Sequence, residues 1–183
     1  MTRNRVIQPP NEFETQQLHL RVPQVEDADA IFEEYAADPD VTRYMTWVPH
    51  ESSDSVAAFL EALLQRHSEG TEFSWAIETP GQPRAIGMIS VRVKGHKADI
   101  GYVLAKGHWN QGYMTEAISA ISEWLLSQES IYRVWAVCDT ENPGSARALE
   151  KSGFEREGTL RRWIIHPNFP NGPRDCYMYG KAR

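Results

Sequence analysis

The chain has 183 residues, of which 41% are hydrophobic and 24% charged, and it carries a net charge of −6 at neutral pH. That length supports one well-buried core and is short for two typical domains. The acidic balance argues against nucleic-acid binding driven by phosphate neutralisation, and no apolar run is long enough to span a membrane.

Residues 1–13, with Pro9 and Pro10 and no apolar run of the signal-peptide kind, read as a loose arm before a single domain over 14–183. Alternation at 18–22 predicts a strand. Asp27 then stands as a helix cap before Ala28, Ile31, Phe32 and Tyr35, and Pro39 stops that helix. Val41, Tyr44, Met45, Trp47 and Val48 form an aromatic-rich turn or short helix suited to lining a pocket. A further helix starts near Ser53, carries Val56, Phe59, Leu60, Leu63 and Leu64 on one face, and ends at Gly70. Strands at 73–78, 85–93 and 98–104 follow, with turn residues between them that favour an antiparallel meander.

Next comes a polar, glycine-bearing loop, Gly107 to Gly112, which runs into a helix whose apolar stripe is Met114, Ala117, Ile118, Ile121, Trp124 and Leu125. A helix start offers unpaired backbone amides and the positive end of the macrodipole, so such a junction holds an anion without a lysine. An ordinary core helix preceded by a loop has the same letters, and the downstream sequence must decide. A strand at 133–139, reached through a helical crossover, favours parallel pairing with strand 98–104. Asn142 and Pro143 then open a helix that Gly153 closes. Closing strands are expected at 154–157 and 176–181, with irregular chain at 164–174. Cys138 and Cys176 stand far apart in no metal-ligand spacing, so no metal site and no disulfide framework is expected, and a reducing cytoplasm fits.

The loop from Trp109 to Ala117, the strand Asp99-Ile100-Gly101-Tyr102-Val103-Leu104 and the Asn142 to Phe154 segment together resemble the GNAT acyltransferases, most nearly the branch that acetylates ribosomal-protein N-termini. The resemblance runs from about Thr15 to Lys181. It implies an α/β (α+β) fold with a mixed, bent central sheet, an antiparallel meander, a splayed parallel strand pair and flanking helices. It also implies acetyl-CoA as the acetyl donor, its pantetheine arm entering between the splayed strands and its diphosphate wrapped by Trp109, Asn110, Gln111, Gly112, Tyr113, Met114 and Thr115. The usual family pattern has glutamine or arginine where Trp109 stands and a small residue where Met114 stands. The place of Met114 on the apolar stripe assigns its side chain to the core.

Acetyl transfer to an amine needs a neutral nucleophile, stabilisation of the oxyanion and a proton for the departing thiolate. The oxyanion is assigned to a main-chain amide at Val103 or Leu104. Ser145, in the branch's Asn-x-x-Ser element, is either the proton donor or a first-turn helix serine; Asn142 either contacts pantetheine or caps the helix; Arg147 either meets a CoA phosphate or is solvated. For the general base, relatives that act on protein N-termini use a carboxylate in a region that here reads Arg161 to His166, with no acid. Asp99, His166 and Asp175 are the alternatives. No GxSxG element occurs and Cys138 has no adjacent histidine in sequence, so no serine or cysteine nucleophile is suggested. The absence of GxxxxGK[ST] and GxGxxG speaks against nucleotide hydrolysis, and the resemblance implies direct transfer in a ternary complex. The acceptor is a primary amine on a peptide or small molecule, and the protein is a monomer or homodimer. The rival expectation is a non-catalytic acyl-CoA-binding module on the same fold.

Overall fold

The computed structural model describes residues 7–183. Of the expected arm, residues 1–6 lie outside the described residues, whereas Glu12–Glu14 form strand β1, paired antiparallel with β2 (His19–Arg21). Asp27 is the N-cap residue of α1 (Ala28–Ile31), as expected, but its side chain caps no amide of that helix. Its carboxylate accepts from the Gln24 amide at 2.8 Å and is gripped by Arg21, and it closes a 3₁₀ turn before α1. α1 runs on into a π-helical turn, Phe32–Ala36. Pro39 both stops that segment and starts the next: Asp38 Oδ1 accepts from the Asp40 amide at 2.8 Å, and α2 (Pro39–Thr42) begins at the proline, whose missing N–H costs nothing there. α3 (Ser53–Ser68) is capped by Ser52, whose Oγ accepts from the Ser55 amide, and buries Val56, Leu60 and Leu63.

β3 (Phe73–Thr79), β4 (Gln82–Lys94) and β5 (Lys97–Leu104) form the meander, joined by two-residue turns at Pro80-Gly81 and Gly95-His96 in which each glycine has positive φ. α4 (Tyr113–Ser127) leads to β6 (Arg133–Asp139), then α5 (Pro143–Lys151), β7 (Glu155–Ile164) and β8 (Arg174–Ala182). β7 is longer than expected and reaches Ile164. Nearly all of it is exposed, so it carries no apolar alternation to read. Among the described residues the strands make one mixed sheet in the order β1-β2-β3-β4-β5-β6-β8-β7.

The faces of this sheet pack against different helices. Ile77, Ile89, Ile100 and Val134 join α4 through Ile118, Ile121 and Leu125. Ala76 and Met88 face the other way, onto Ile31, Val56 and Leu60. Each fully buried leucine or isoleucine contributes about 1.5–3 kcal/mol. Gly87 of β4 lies opposite Leu104 of β5, and a Cβ there would lie 2.6 Å from the Val103 carbonyl oxygen and 3.0 Å from Leu104 Cδ1. Because the obstacle is backbone in the middle of the sheet, Gly87→Ala is expected to cost about 1–3 kcal/mol. Urea denaturation checks this, and an unchanged midpoint would mean that the two strands separate freely.

The feature that positions the site is the short parallel seam. β4 and β5 stay in register from Gly87–Leu104 to Lys94–Lys97, and β6 pairs with β8 along its whole length. β5 and β6, however, pair only at Lys97–Arg133, Ala98–Val134 and Asp99–Trp135. Beyond Asp99 the two strands diverge, which is the splay that the family resemblance implies.

Candidate active site

Strand geometry fixes which main-chain groups face this gap. The Ala105 amide donates to the Ile86 carbonyl at 2.8 Å, so alternation turns the main-chain groups of Val103 toward β4 and those of Leu104, Tyr102 and Ile100 toward the gap. Of the two amides expected to meet an oxyanion, Val103 is therefore turned into the β4–β5 ladder, and Leu104 is the one that faces the opening. The Leu104 carbonyl is taken by Trp109 Nε1 at 2.8 Å. Trp109 thereby pins the following loop to the end of β5, while its ring stays 40% exposed.

The loop itself is built by backbone conformation. Asn110 and Gly112 have φ of 62° and 87°, and Gln111 Nε2 donates to the Gly107 carbonyl at 3.0 Å. Gly112 is the N-cap of α4 and offers no side-chain cap, so the amides of Tyr113, Met114 and Thr115 precede the first intrahelical bond, Glu116 N–H to the Gly112 carbonyl. Apart from its two neighbours in the chain, no atom of the described residues lies within 4 Å of a Cβ built on Gly112. The cradle is thus open on the side where an anion would approach. The Met114 side chain is buried in the core with Ala117 and Ile118, so the unusual residue in the motif points away from this opening. The Thr115 carbonyl accepts from Ser152 Oγ at 3.0 Å and ties α4 to the end of α5. Arg147 is exposed on α5.

Across the gap, Asn142 Oδ1 accepts from the Ser145 amide at 3.1 Å and is the cap of α5. The Ser145 hydroxyl is free of that duty and instead lies 2.8 Å from the Tyr102 hydroxyl of β5. Cys138 of β6 also contacts Ser145. Burial pushes the Cys138 thiol up to about 11, only partly offset by the Ser145 hydrogen bond, and burial raises Cys176 to about 11 as well. Both thiols are expected to label slowly with a thiol reagent near neutral pH in the folded protein and fast in urea, because the thiolate is the reactive form. Rapid labelling of the native protein would contradict this placement.

The three base candidates go to different places. Asp99 is at the closed end of the gap, where Arg92 Nε donates to its carboxylate at 2.8 Å. Asp175 is exposed, and its Oδ1 accepts from the amide of Arg162, a residue of positive φ in β7. His166 is buried, with Nδ1 3.3 Å from the Met45 carbonyl and Nε2 3.5 Å from Asp139 Oδ2.

Sequence reasoning missed the group around Asp139. This carboxylate, fully buried at the end of β6, accepts from Arg174 Nε and Nη2 at 2.5 and 3.0 Å and from the Glu141 amide at 2.8 Å. Burial alone would raise its pKa, but the Arg174 hydrogen bonds and the Glu141 amide outweigh that and hold it below the usual carboxylate range. Arg174 also stacks 4.2 Å over Phe169, Tyr44 lies against Phe169, and Asn168 Nδ2 donates to the carbonyls of Thr42 and Trp47. The aromatic segment after α2 is in this way clamped to the β7–β8 loop beside the open end of the gap. Partners 35 and 121 residues apart leave no local signal. Tyr102 was missed for the same reason.

Similarity to known proteins agrees with this geometry. The acetyltransferase (GNAT) domain profile matches residues 17–155. An uncharacterized N-acetyltransferase of Bacillus subtilis (strain 168), YoaA, is 33% identical over 171 residues, covering 91% of this chain and 94% of that protein. The [ribosomal protein uS5]-alanine N-acetyltransferase of Escherichia coli (strain K12) is 26% identical over 103 residues, 54% of this chain and 53% of the enzyme. The microcin C7 self-immunity acetyltransferase MccE, solved in complex with acetyl-CoA and AMP, shares the fold with a TM-score of 0.84 at 20% identity, covering 96% of this chain and 98% of that one. With the profile spanning well over half of its length, the chain belongs to the GNAT family of acetyltransferases.

Proposed function

We propose that this protein is an acetyl-CoA-dependent N-acetyltransferase, working as one domain in the cytoplasm, that passes the acetyl group directly to an α-amine such as a peptide N-terminus. The observation that carries the reading is the divergence of β5 and β6 beyond Asp99, with an uncapped helix start at one end and a hydroxyl pair inside. Main-chain groups left unpaired by the splay suit the amides of an extended pantetheine arm, as an added strand would. The amides from Gly112 to Thr115 suit its diphosphate. Acetyl-CoA supplies the activated acetyl group; the chain supplies the cradle, the Leu104 amide facing the oxyanion and the Ser145 hydroxyl for the sulfur.

The preference for an α-amine comes from the base candidates. Asp99 is held by Arg92 and Asp175 accepts from the Arg162 amide. His166 is buried out of contact with solvent, its Nε2 3.5 Å from Asp139 Oδ2 and without a hydrogen bond among the described residues. An amine that must lose its proton to water does so more readily at a pKa of about 7.7–8.0 than at about 10.4. The protein works as a monomer or a homodimer, which sedimentation tells apart.

Calorimetry with acetyl-CoA followed by thiol-release assays over peptides and lysine-like amines tests the reading. Binding, turnover on α-amines and a rate that rises with the acceptor's own ionisation are expected. Binding without turnover on any amine would assign the protein to the non-catalytic acyl-CoA-binding class, which the engaged carboxylates of Asp99 and Asp175 favour. Failure to bind acetyl-CoA would end both readings.

A further inference from the structure

We propose that Tyr102 is a positioning residue for acetyl transfer, its hydroxyl donating to Ser145 Oγ and so aiming the proton of Ser145 at the sulfur that leaves the thioester. The proposal rests on the acetyltransferase reading above and adds a residue to its site.

Two observations are independent of that reading. Tyr102 comes from one splayed strand and Ser145 from the helix that follows the other, yet their hydroxyls meet at 2.8 Å, with the Ser145 carbonyl 3.4 Å from the same phenol. The ordinary task of a first-turn serine, satisfying a free helix amide, is already done by Asn142. A serine hydroxyl has one proton and two lone pairs. The phenol is much the stronger acid of the two, so it donates, filling one lone pair and leaving the Ser145 proton for a third group. Burial raises the Tyr102 pKa, which keeps the phenol protonated and therefore a donor. Cys138 of β6 borders the same hydroxyl, and burial keeps its thiol protonated too, so it does not compete as a base.

The step balances simply. The bond from the amine nitrogen to the acetyl carbon forms as the carbon–sulfur bond breaks. The amine gives a proton to water, and the sulfur leaves as a thiolate that accepts the Ser145 hydrogen bond and takes its proton from water. The hydrogen bond from Tyr102 polarises the serine hydroxyl and holds its proton toward the sulfur, so neither hydroxyl has to be left as an anion.

The competing possibility is that the hydroxyl pair only staples α5 to β5. Tyr102→Phe keeps the ring packed beside Ile100 and Leu104 and removes the one hydrogen bond. Expected for this variant are a kcat lower by about tenfold or more and a KM for acetyl-CoA within about twofold. Ser145→Ala should lose more, and the double variant no more than Ser145→Ala. A second readout does not depend on activity: by calorimetry at about pH 8.5, near the ordinary thiol pKa, the wild type should bind CoA more tightly than desulfo-CoA. Tyr102→Phe should lose that preference. A Tyr102→Phe protein with lower thermal stability but unchanged kcat and unchanged preference for CoA would make the pair a staple and overturn the proposal alone. A wild type that binds neither CoA nor desulfo-CoA would overturn this proposal together with the function it rests on.

Discussion

Replacing Gly112 by valine is expected to lower acetyl-CoA affinity about a hundredfold or more, roughly 3 kcal/mol, while the protein stays folded. Two effects add. At φ 87° a residue with a Cβ is strained by about 1–2 kcal/mol, and a β-branched one most of all. The new Cβ also enters space that no described residue beyond its two chain neighbours occupies within 4 Å. That empty space is the reason the fold survives, since nothing in the core is displaced, and the reason binding suffers, since the space lies over the amides of α4. Gly112→Asn separates the two effects, because asparagine tolerates positive φ and retains only the obstruction. Calorimetry gives the affinities and thermal melting monitors the fold. Unchanged affinity in a folded Gly112→Val protein would move the diphosphate to another part of the molecule.

Much of this site was legible because its parts are local. The Asn142–Pro143 start and Gly153 stop of α5, the glycine before α4 and the apolar stripe containing Met114 are each encoded within a few residues, and the structure bears them out. The parallel order of β5 and β6 followed from the crossover between them. Edges were harder. β1 lies in a stretch rich in proline and glutamate, and β7 exposes nearly every side chain, so neither strand leaves the alternation that burial imposes. The choice between Val103 and Leu104 needed the register against β4, which no single strand contains. That Asn142 is the cap is a contact three residues long, but the engagement of the Ser145 hydroxyl needed Tyr102, 43 residues away.

The same kind of long-range pairing governs the open end of the gap, where the largest loss of stability is expected from Arg174→Met. The Asp139 carboxylate is fully buried, and removing one partner of a buried pair typically costs about 3–5 kcal/mol because a charge is left behind. Arg174 is 17% exposed, so water replaces part of what it gave, and a loss of about 2–4 kcal/mol is expected at neutral pH. The pH dependence separates charge from packing. Asp139 has a folded pKa below its unfolded value, so its stabilisation is complete above the unfolded pKa of about 3.9 and fades as pH falls through the folded one. The gap between wild type and Arg174→Met should therefore be wide at neutral pH and narrow in acid, as the stranded carboxyl of the variant takes up a proton. Urea denaturation across that range measures it. A gap of constant size would attribute the loss to the stacking of Arg174 on Phe169 instead. In either case the β7–β8 loop loosens from the aromatic segment after α2. An acceptor held by that wall would then show a raised KM, while acetyl-CoA, on the proposed placement at the start of α4, would keep its affinity.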